Sequence, residues 1–440
     1  MTETKRPRLA IISSWNDSCG NASYTYVLKK EFEKHYDVEV LGLDLYLLKQ
    51  TGRIFRRRAR RHILQMAAKL REFDYVNIQF EAGLYGATIY DIWRNVRTLM
   101  DAAPNLILTM HRIDTENNSL LKDIVLSFVT FSVKPLRQRR SLYNYAWLYK
   151  KMILHVRKLA RHKNAWIKVH TKREKRIVQD FFEFEGVMDA PLAFLDAPER
   201  ARVLADVRPE ALRERYNLPA DAKVIGAFGY IANYKGFEDL IRALRLLPEN
   251  WYLLVVGSQH PQSIKPWTSV DAYLAKLLLE IETPLARQFD LLPRDLRGRL
   301  QIEATLNQLA NIVPDGPSLT DRVRFVGNVD DDEFTFLLRN SDAVVLPYLE
   351  VGQSMSGVIA LAIESGARLF CSNNLSFAEA RRYYGDVFSR FDMGNYIEIA
   401  QRVIYDNADY SARRDAMFEK YSITTLVDLQ RNMFEGKVRQ

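Results

Sequence analysis

The chain has few cysteines and no long apolar run. Cys19 and Cys371 are the only two cysteines among its 440 residues, and they lie far apart in the sequence. This number excludes a disulfide framework and a multi-cysteine zinc site, and it favours a reducing compartment. No stretch reaches the roughly 18 apolar residues that a membrane span needs, and the N-terminal residues contain no apolar run of signal-peptide length. We therefore expect a cytoplasmic protein without a membrane-spanning segment.

Length and composition favour a globular protein with two large domains. At about 150 residues per domain, a chain of 440 residues exceeds one domain by a wide margin. Apolar residues make up 48% and charged residues 27%, which excludes a wholly disordered, collagen-like or coiled-coil chain. The chain is therefore apolar enough to bury a core in each domain.

Positive charge is concentrated in the first half of the chain. Residues 221–440 carry 24 Lys and Arg against 29 Asp and Glu, whereas residues 1–220 carry 39 against 25. One basic cluster consists of Arg53, Arg56, Arg57, Arg58, Arg60 and Arg61. Residues 134–176 add 15 Lys and Arg against the single acid Glu174, with tyrosines and tryptophans between them. This mixture suits an anionic surface, either membrane phosphate or nucleic acid, and the alternative is a solvated pair of basic helices.

Short apolar, β-branched segments alternate with longer helical patterns in two series. The first series consists of residues 9–12, 38–43, 75–79, 106–110 and 165–169. The second series consists of residues 224–228, 251–256, 323–326, 343–346 and 368–371. Such alternation predicts parallel sheets that helices cover on both faces. We therefore expect an α/β protein with two Rossmann-like, doubly wound domains facing a cleft, where ligands collect at the carboxyl ends of the strands.

The predicted domain boundaries follow from a proline-containing interval between the two series. Residues 1–190 are expected to form the basic first domain, residues 191–220 the connector and residues 221–410 the second domain. Residues 411–440 are expected to form a C-terminal helix that crosses back to the first domain.

The second domain contains a long interval between two predicted strands. We expect residues 258–320 to be a helical insertion, with helices at residues 270–282 and 297–311 that prolines interrupt.

A loop of small residues after the first predicted strand opens a helix. Residues 18–23 read Ser-Cys-Gly-Asn-Ala-Ser. Gly20 and Asn21 therefore stand at the predicted start of the helix, where free N–H groups can bind an anion or a sugar hydroxyl. The alternative is an ordinary strand-to-helix turn that Asn21 or Ser23 caps.

Ionisable side chains follow two further strands of the first series. Glu81 comes after the strand at residues 75–79, and His111 comes after the strand at residues 106–110. The carboxyl ends of parallel strands are the expected ligand edge, so both side chains are candidate catalytic residues. For His111 the alternative is a structural role, because a lone histidine is more often structural than catalytic.

Two loops of the second half are suited to phosphate. Gly229 ends a strand, Lys235 stands before the next helix, and Gly236 allows the backbone to approach a ligand closely. Residues 354–357, Ser-Met-Ser-Gly, follow another strand and open an alanine-rich helix, so they offer N–H donors and two hydroxyls to a phosphate. The alternatives are a solvated lysine and an unliganded serine-rich helix cap.

In order and spacing, these segments resemble the retaining, family-4-type glycosyltransferases of the two-Rossmann-domain (GT-B) fold. Residues 19–25, Cys-Gly-Asn-Ala-Ser-Tyr-Thr, are similar to the family's C-G-I-A-x-Y-T, and residues 78–86 are similar to Q-H-E-F-G-x-F-G. The other matching segments are residues 109–111, 228–231, 234–236, 323–329, 341–348 and 353–357. Together the segments span nearly the whole chain.

The resemblance implies that the second domain binds a nucleotide diphosphate sugar, that the first domain binds the acceptor, and that transfer retains the anomeric configuration. It implies catalytic roles for Lys235 on the diphosphate, for His111 beside the donor sugar, and for Glu81. The implied donor-binding residues are Gly20, Asn21, Gly229, Lys235, Val326, Gly327, Asn328, Gln353, Ser354, Met355, Ser356 and Gly357. In this family fixed cations and dipoles stabilise the leaving phosphate, so the resemblance implies neither a cofactor nor a metal.

The chain departs from the family pattern at two places. Where many members have Glu-x7-Glu, this chain has Gln353 and Leu361, while Glu350 stands three positions early and Glu364 three positions late. An arginine that often precedes the lysine is also absent. The usual carboxylate on the ribose is therefore missing or displaced.

Three functional hypotheses follow. The first is a glycosyltransferase that extends a lipid-linked or surface polysaccharide, or another glycan, at the inner face of the cytoplasmic membrane. Its partners would be a nucleotide sugar, a glycan or lipid-linked acceptor, and an anionic membrane surface. The second is a catalytically silent GT-B binding subunit. The third is a basic nucleic-acid-binding protein, but no recognised nucleic-acid motif accompanies the charge, so we expect no nucleic-acid partner.

Overall fold

The computed structural model describes residues 6–16, 20–114, 134–259, 270–282, 318–352 and 354–438, without the side chains of residues 134–142. The chain divides into two compact units. The first unit consists of Met1–Phe194 and Glu419–Gln440, and the second consists of Leu195–Phe418. Each unit has its own sheet and its own apolar core.

The first unit is built on a six-stranded sheet in the order β2-β1-β3-β4-β5-β6, and every neighbouring pair is parallel. Its strands are Arg8–Ser13 (β1), Asp37–Gly42 (β2), Tyr75–Phe80 (β3), Asn105–Met110 (β4), Ala165–Val169 (β5) and Val187–Asp189 (β6). The central strands β1, β3, β4 and β5 are buried along almost their whole length, because helices cover the sheet.

Helices connect these parallel strands. They are Gly20–Phe32 (α1), Leu45–Leu48 (α2), Arg53–Lys69 (α3), Ile89–Ala102 (α4), Lys134–Leu159 (α5) and Lys172–Arg176 (α6). Local capping sets several of the boundaries. The Thr88 hydroxyl, for example, accepts a hydrogen bond of 3.2 Å from the backbone N–H of Asp91 and so begins α4.

The second unit is also built on a six-stranded parallel sheet, in the order β12-β11-β10-β7-β8-β9. Its strands are Lys223–Phe228 (β7), Trp251–Val256 (β8), Val323–Gly327 (β9), Ala343–Leu346 (β10), Leu369–Ser372 (β11) and Ser389–Phe391 (β12). In both sheets the chain order reverses across the first strand of the unit, as in doubly wound folds.

The helices of the second unit are Ala197–Ala205 (α7), Pro209–Arg215 (α8), Phe237–Leu246 (α9), Ala272–Glu282 (α10), Asp331–Asn340 (α11), Gly357–Glu364 (α12), Leu375–Tyr384 (α13), Tyr396–Tyr405 (α14) and Ser411–Tyr421 (α15). The last residues of α15 belong to the first unit. Residues 191–220, which the sequence suggested as a connector, thus contain α7 and α8. Asp196 and Glu199 form a reciprocal capping box at the start of α7.

A final helix, Ile423–Phe434 (α16), belongs to the first unit. The side-chain amide of Asn164, just before β5, donates hydrogen bonds to the backbone oxygens of Met433 (2.7 Å) and Phe434 (2.9 Å). Phe434 packs against Tyr75 with a ring-centroid distance of 5.0 Å. The C-terminal segment therefore helps to complete the core of the first unit.

The predicted fold class, two doubly wound parallel α/β sheets, is confirmed. Each of the ten predicted strands is present in the structure, with ends that differ by at most one residue. Strands β6 and β12 were not predicted, because each has only three residues and lies at a sheet edge. The helix predicted at residues 270–282 is present as α10, and the helix predicted at residues 297–311 lies outside the described residues.

The basic, aromatic segment 134–176 is not the pair of solvated helices that one interpretation gave, and its binding to an anionic surface stays a prediction. It forms α5, β5 and α6 in sequence instead of a pair of solvated helices. Tyr149 and Trp166 are 2% and 3% exposed and Lys168 is fully buried, so these side chains belong to the interior and are not available to a membrane. Among the described residues, no helix combines the length and apolarity that crossing a bilayer requires.

Candidate functional site

Three neighbouring strands of the second unit end at glycines with left-handed backbone angles. Gly229, Gly257 and Gly327 follow or end β7, β8 and β9, with φ of 109°, 137° and 81°. A Cβ on Gly257 would lie 2.2 Å from the backbone oxygen of Gly229, so position 257 requires glycine. The backbone N–H of Gly257 donates a 2.8 Å hydrogen bond to the oxygen of Gly327. Glycine at these positions therefore lets the ends of the three strands approach one another closely.

Lys235 stands on a short turn that two neighbours hold in place. The turn spans Asn233–Lys235, directly before α9. Gly236 has φ 64°, and a Cβ there would lie 2.2 Å from the backbone oxygen of Pro347. The N–H of Leu349 donates a 2.7 Å hydrogen bond to the oxygen of Tyr234. The turn after β7 is thereby fixed against the loop after β10.

The ammonium group of Lys235 is buried and has no anionic partner. Only 4% of the residue is exposed, and Nζ lies 3.7 Å from the ring centroid of Tyr348 and 5.0 Å from that of Tyr234. It makes no hydrogen bond or ion pair with any residue that the structure describes. Burial lowers the pKa of Lys235 to about 7. A buried amine that lacks a counter-charge is costly, which is the property expected of a site that receives an anion.

The N-terminus of α12 lies beside this lysine. Ser354, Met355 and Ser356 are 1%, 7% and 2% exposed, and Gly357 begins the helix. The Ser356 hydroxyl makes no capping hydrogen bond to the helix. The first N–H groups of α12 are therefore not satisfied by the side chain at its cap.

The two loops meet at Gly229. A Cβ on Gly229 would lie 3.0 Å from Nζ of Lys235 and 3.8 Å from Cγ2 of Val358, in the first turn of α12. The Tyr348 hydroxyl donates to the oxygen of Phe228 at 3.3 Å. The structure thus brings together Lys235, Gly229 and the Ser354–Gly357 loop, which the sequence placed in one donor site, and Tyr348 joins them. Gln353 lies outside the described residues.

The two acids nearest to the missing Glu-x7-Glu pattern have different surroundings. The carboxylate of Glu350 accepts hydrogen bonds of 2.7 Å from the N–H groups of Gly352 and Leu375. The carboxylate of Glu364, at the far end of α12, accepts a 3.3 Å bond from the N–H of Leu195. Glu364 therefore has a structural partner away from the phosphate loop, whereas Glu350 orders the loop itself.

The residues expected against the base lie at the end of the edge strand β9. Val326 and Gly327 are half-buried and Asn328 is exposed. Gly327 is joined to Gly257 by the backbone hydrogen bond described above, so this corner belongs to the same carboxyl edge as Gly229.

In the first unit, both ring nitrogens of His111 are engaged. Nε2 lies 2.9 Å from Oε1 of Gln79, and Nδ1 lies 3.2 Å from Nε2 of His170. Nδ1 of His170 lies 3.2 Å from the backbone oxygen of Ala190, which can only accept. Burial, with the charge of Lys168 as a further cause, lowers the pKa of His111 to about 3. His111 is therefore a neutral imidazole. Because His170 donates from Nδ1 to Ala190 and accepts through Nε2, His111 carries its proton on Nδ1 and donates it to His170. Nε2 of His111, beside Oε1 of Gln79, then carries no proton.

Lys168 lies under this histidine pair. Its Nζ donates a 3.0 Å hydrogen bond to the hydroxyl of Tyr24, and burial lowers the pKa of Lys168 to about 7. The edge of the Tyr24 ring packs against His111 and His170, with centroid distances of 6.0 and 6.1 Å. These buried polar groups occupy the ends of β4 and β5, where the sequence predicted only His111.

Glu81 follows β3 at the same edge of the sheet. Its carboxylate makes no hydrogen bond or ion pair with the described residues, and burial raises the pKa of Glu81 while the charge of Arg112 opposes the rise. Arg112 instead binds Asp114 at 2.5 Å. Glu81 is therefore a carboxyl group with a raised pKa at the carboxyl edge of the sheet, where ligands are expected. A catalytic carboxyl has the same properties.

Gly20 and Asn21 form the first residues of α1, and Ser18 and Cys19 lie outside the described residues. The Asn21 side-chain Nδ2 is buried and has no hydrogen-bond partner among the described residues. The backbone oxygen of Asn21 accepts a 2.7 Å bond from the Thr25 hydroxyl. The amide of Asn21 is thus a donor available to a ligand.

Sequence reasoning missed several residues of these sites: Gln79, Lys168, His170, Tyr234 and Tyr348. His170 had the same signal as His111, a polar residue just after a parallel strand, and could have been found by it. Among the described residues, no group of three or more His, Cys, Asp or Glu could hold a metal ion.

Comparison with known proteins places the fold. HepE from Anabaena in complex with UDP and glucose is similar to this chain with a TM-score of 0.59 and 14% identity, covering 98% of this chain and 100% of that chain. Sucrose-phosphate synthase from Thermosynechococcus elongatus is similar with a TM-score of 0.58 and 16% identity over 98% and 100% of the two chains. WaaG, a glycosyltransferase involved in lipopolysaccharide biosynthesis, is similar with a TM-score of 0.52 and 13% identity over 98% of each chain.

These similarities establish the fold of the chain as that of the GT-B glycosyltransferases. No protein-family model matches the chain, and no curated protein matches it in sequence.

Proposed function

We propose that the chain is a retaining glycosyltransferase that moves a sugar from a nucleotide diphosphate sugar to a lipid-linked or surface polysaccharide, or to another glycan. The second unit binds the donor and the first unit binds the acceptor. One observation carries the proposal: the buried ammonium of Lys235 lacks a counter-charge among the described residues and lies beside the start of α12. The diphosphate of the donor supplies that charge.

The reaction replaces one bond to the anomeric carbon by another on the same face of the sugar. The bond from that carbon to the diphosphate oxygen breaks, the acceptor oxygen bonds to the carbon, and the acceptor proton passes to the leaving phosphate. Negative charge on the diphosphate increases as the bond breaks, and Lys235 and the N-terminus of α12 stabilise it in place of a metal. The turn of Lys235 is already held by Tyr234 and Gly236, so little reorganisation is needed.

The first unit supplies groups for the sugar and the acceptor. In this proposal neutral His111 binds a hydroxyl of the donor sugar, and the hydrogen bond to His170 sets the orientation of its ring. Glu81 receives a hydrogen bond from the acceptor hydroxyl, and the nearby charge of Arg112 limits the rise of its pKa. Asn21 offers its unpartnered amide to a sugar hydroxyl or a phosphate.

Uridine is the first donor base to test. A solved structure of the similar protein HepE contains UDP-glucose. In this chain the base would lie against Val326, Gly327 and Asn328 at the end of β9, with the diphosphate directed toward Lys235.

A catalytically silent binding subunit is the second candidate. It is favoured by Glu364, whose carboxylate is engaged with Leu195 and so does not replace the missing ribose carboxylate. Such a protein would bind the nucleotide but would not release or transfer the sugar.

A lipid-linked acceptor requires access to a membrane, and one face of the first unit suits the anionic inner leaflet of the cytoplasmic membrane. On α3, Arg57, Arg58 and Arg61 are exposed, and Ile54 and Leu64 are 71% and 48% exposed. We name these five residues the α3 basic face. Cations attract the headgroups while the two apolar side chains enter the interface.

Two arginines of the same cluster do not belong to this face. Nη2 of Arg56 donates a 2.8 Å hydrogen bond to Oδ1 of Asp91, and Nη1 of Arg60 donates a 2.8 Å bond to the hydroxyl of Thr98. Both arginines therefore join α3 to α4, and membrane tests should leave them unchanged.

A thermal-shift screen with UDP, GDP, ADP and dTDP tests the donor site. A ligand that binds only the folded state stabilises it by mass action, by about 2.7 kcal/mol at 100 times its Kd. We expect a clear shift with one nucleotide and little with the others, and loss of that shift in Lys235→Met. Absence of a shift with all four would contradict the proposal.

A further inference from the structure

A tyrosine from the segment between β8 and β9 reaches the helix that follows Lys235. Tyr273 lies on α10 and is 7% exposed. Its hydroxyl accepts a 2.9 Å hydrogen bond from the backbone N–H of Phe237, the first residue of α9, and donates to the carboxylate of Glu238. The segment that the sequence described only as an insertion therefore contacts the first turn of α9.

This contact supplies a cap that the chain cannot supply locally. The N-cap of α9 is Gly236, which has no side chain. A serine or aspartate there would be strained at φ 64°, and its Cβ would lie 2.2 Å from the oxygen of Pro347. The N–H of Phe237 would otherwise be a buried donor without a partner, so the hydroxyl of Tyr273 satisfies it from a different helix.

A partly buried network of ion pairs also joins α10 to α9. Lys276 of α10 binds Glu238 at 2.9 Å, and Arg242 of α9 binds Glu280 of α10 at 3.0 Å. Arg242 also lies 3.4 Å from Asp239. These contacts join α10 to α9 on the side where the Tyr273 hydroxyl binds the N–H of Phe237.

We infer that Tyr273 is a positioning residue for Lys235. The inference rests on the proposed function, because it concerns how the lysine is aimed at the donor diphosphate. Only Gly236 separates Lys235 from Phe237, whose N–H the tyrosine binds. An electrostatic site loses effect when its charged group is misplaced by a fraction of an ångström, so loss of the Tyr273 hydroxyl weakens diphosphate binding without removing any group that touches it.

The test compares two tyrosine-to-phenylalanine changes in the second unit. Tyr273→Phe removes the hydroxyl that binds Phe237 and Glu238. Tyr216→Phe is the matched control, because the Tyr216 hydroxyl also donates to a glutamate, Glu333, at 2.8 Å, but lies outside the donor site. Calorimetric titration uses whichever of UDP, GDP, ADP and dTDP gives the largest thermal shift. We expect about tenfold weaker binding for Tyr273→Phe and less than about twofold for Tyr216→Phe.

The same titration in a Lys235→Met background separates positioning from a general loss of stability. Tyr273→Phe should change the residual affinity of that protein by less than about twofold, since the group it positions is gone. Equal effects of Tyr273→Phe in the two backgrounds, or equal effects of the two tyrosine changes, would overturn the inference while leaving the donor site intact. If Lys235→Met alone leaves the affinity unchanged, the proposed donor site is wrong and the inference is overturned with it.

Discussion

Replacement of Lys235 by methionine should weaken nucleotide binding and stabilise the protein at the same time. Methionine has a similar length and is apolar, so it keeps the packing against Tyr348 while it removes the charge. The lysine is a functional group held at a cost, because its amine is buried without a counter-charge among the described residues. The two effects have opposite signs, which distinguishes this prediction from simple damage to the fold.

The pKa of Lys235 gives the magnitude. Burial lowers it from 10.5 to about 7. Between these two values the unfolded chain binds more protons than the folded protein, so the wild type gains stability as pH rises through this window. At about 1.4 kcal/mol per pKa unit, the buried amine costs about 3 kcal/mol at pH 8 and under about 1 kcal/mol at pH 10. We therefore expect Lys235→Met to be more stable than the wild type at pH 8, with a smaller difference at pH 10.

Binding should change in the other direction. Charge-assisted hydrogen bonds to a diphosphate contribute about 1.5–3 kcal/mol, so the affinity for the nucleoside diphosphate should fall by about 10- to 100-fold. Denaturant unfolding at pH 8 and pH 10 measures the first effect, and calorimetric titration measures the second. Lys223→Met is the matched control, because Lys223 is exposed at the other end of β7 and should change neither quantity.

A Lys235→Met protein that is less stable than the wild type at pH 8 would contradict this prediction, because the contact of the amine with the Tyr348 ring would then outweigh the cost of burying the amine. A variant that binds the nucleotide with wild-type affinity would contradict it too, because the diphosphate would then bind elsewhere.

Three further predictions concern the other residues of the site and the membrane. Ser354→Ala together with Ser356→Ala should weaken nucleotide binding less than Lys235→Met does, because hydroxyl contacts of about 0.5–1.5 kcal/mol are lost while the backbone amides remain. Calorimetric titration measures the affinity, and an unchanged affinity in the double variant would mean that the phosphate binds to another loop. His111→Ala should lower kcat much more than it changes the KM for the donor. His170→Leu should lower kcat to a smaller degree, because His170 only orients His111. Steady-state kinetics checks both, and an unchanged kcat in both variants would mean that the two histidines have only a structural role. The wild type should sediment with anionic vesicles at low salt and be released at high salt, because salt screens the attraction. A triple variant with glutamate at Arg57, Arg58 and Arg61 should not sediment with the vesicles at low salt. If the wild type does not bind such vesicles at low salt, the membrane proposal is wrong.

The strands were predictable because their signal is local. Residues 251–256 are a continuous apolar run, and Thr109 alone interrupts the apolar residues 106–110; such runs are typical of fully buried parallel strands. β6 and β12 carried no comparable signal, since three residues at a sheet edge gain most of their stability from the neighbouring strand. The helical cap from Tyr273 was likewise unpredictable, because it joins helices that are separated in sequence by β8.

The donor site was more predictable than the first-unit site. Gly229, Lys235 and the loop of Ser354 each occupy the end of a strand or the start of a helix, and the sheet order brings these ends together. In the first unit, the basic composition of residues 134–176 concealed the interior position of Lys168. Strand alternation places Lys168 on the same face of β5 as Trp166, and the hydrogen bond to Tyr24 becomes visible only when α1 covers that face.

The most direct test of the account follows the fate of an α-linked sugar nucleotide, chosen as the sugar form of the base that gives the thermal shift. The wild type and Lys235→Met are each incubated with it, without an added acceptor, and the anomeric proton of the released sugar is recorded by NMR before mutarotation. With water as a slow substitute acceptor, the account predicts that the wild type releases the α-anomer first and that Lys235→Met releases almost none. Release of the β-anomer first would contradict retention, and binding without any release in the wild type would instead identify a silent binding subunit.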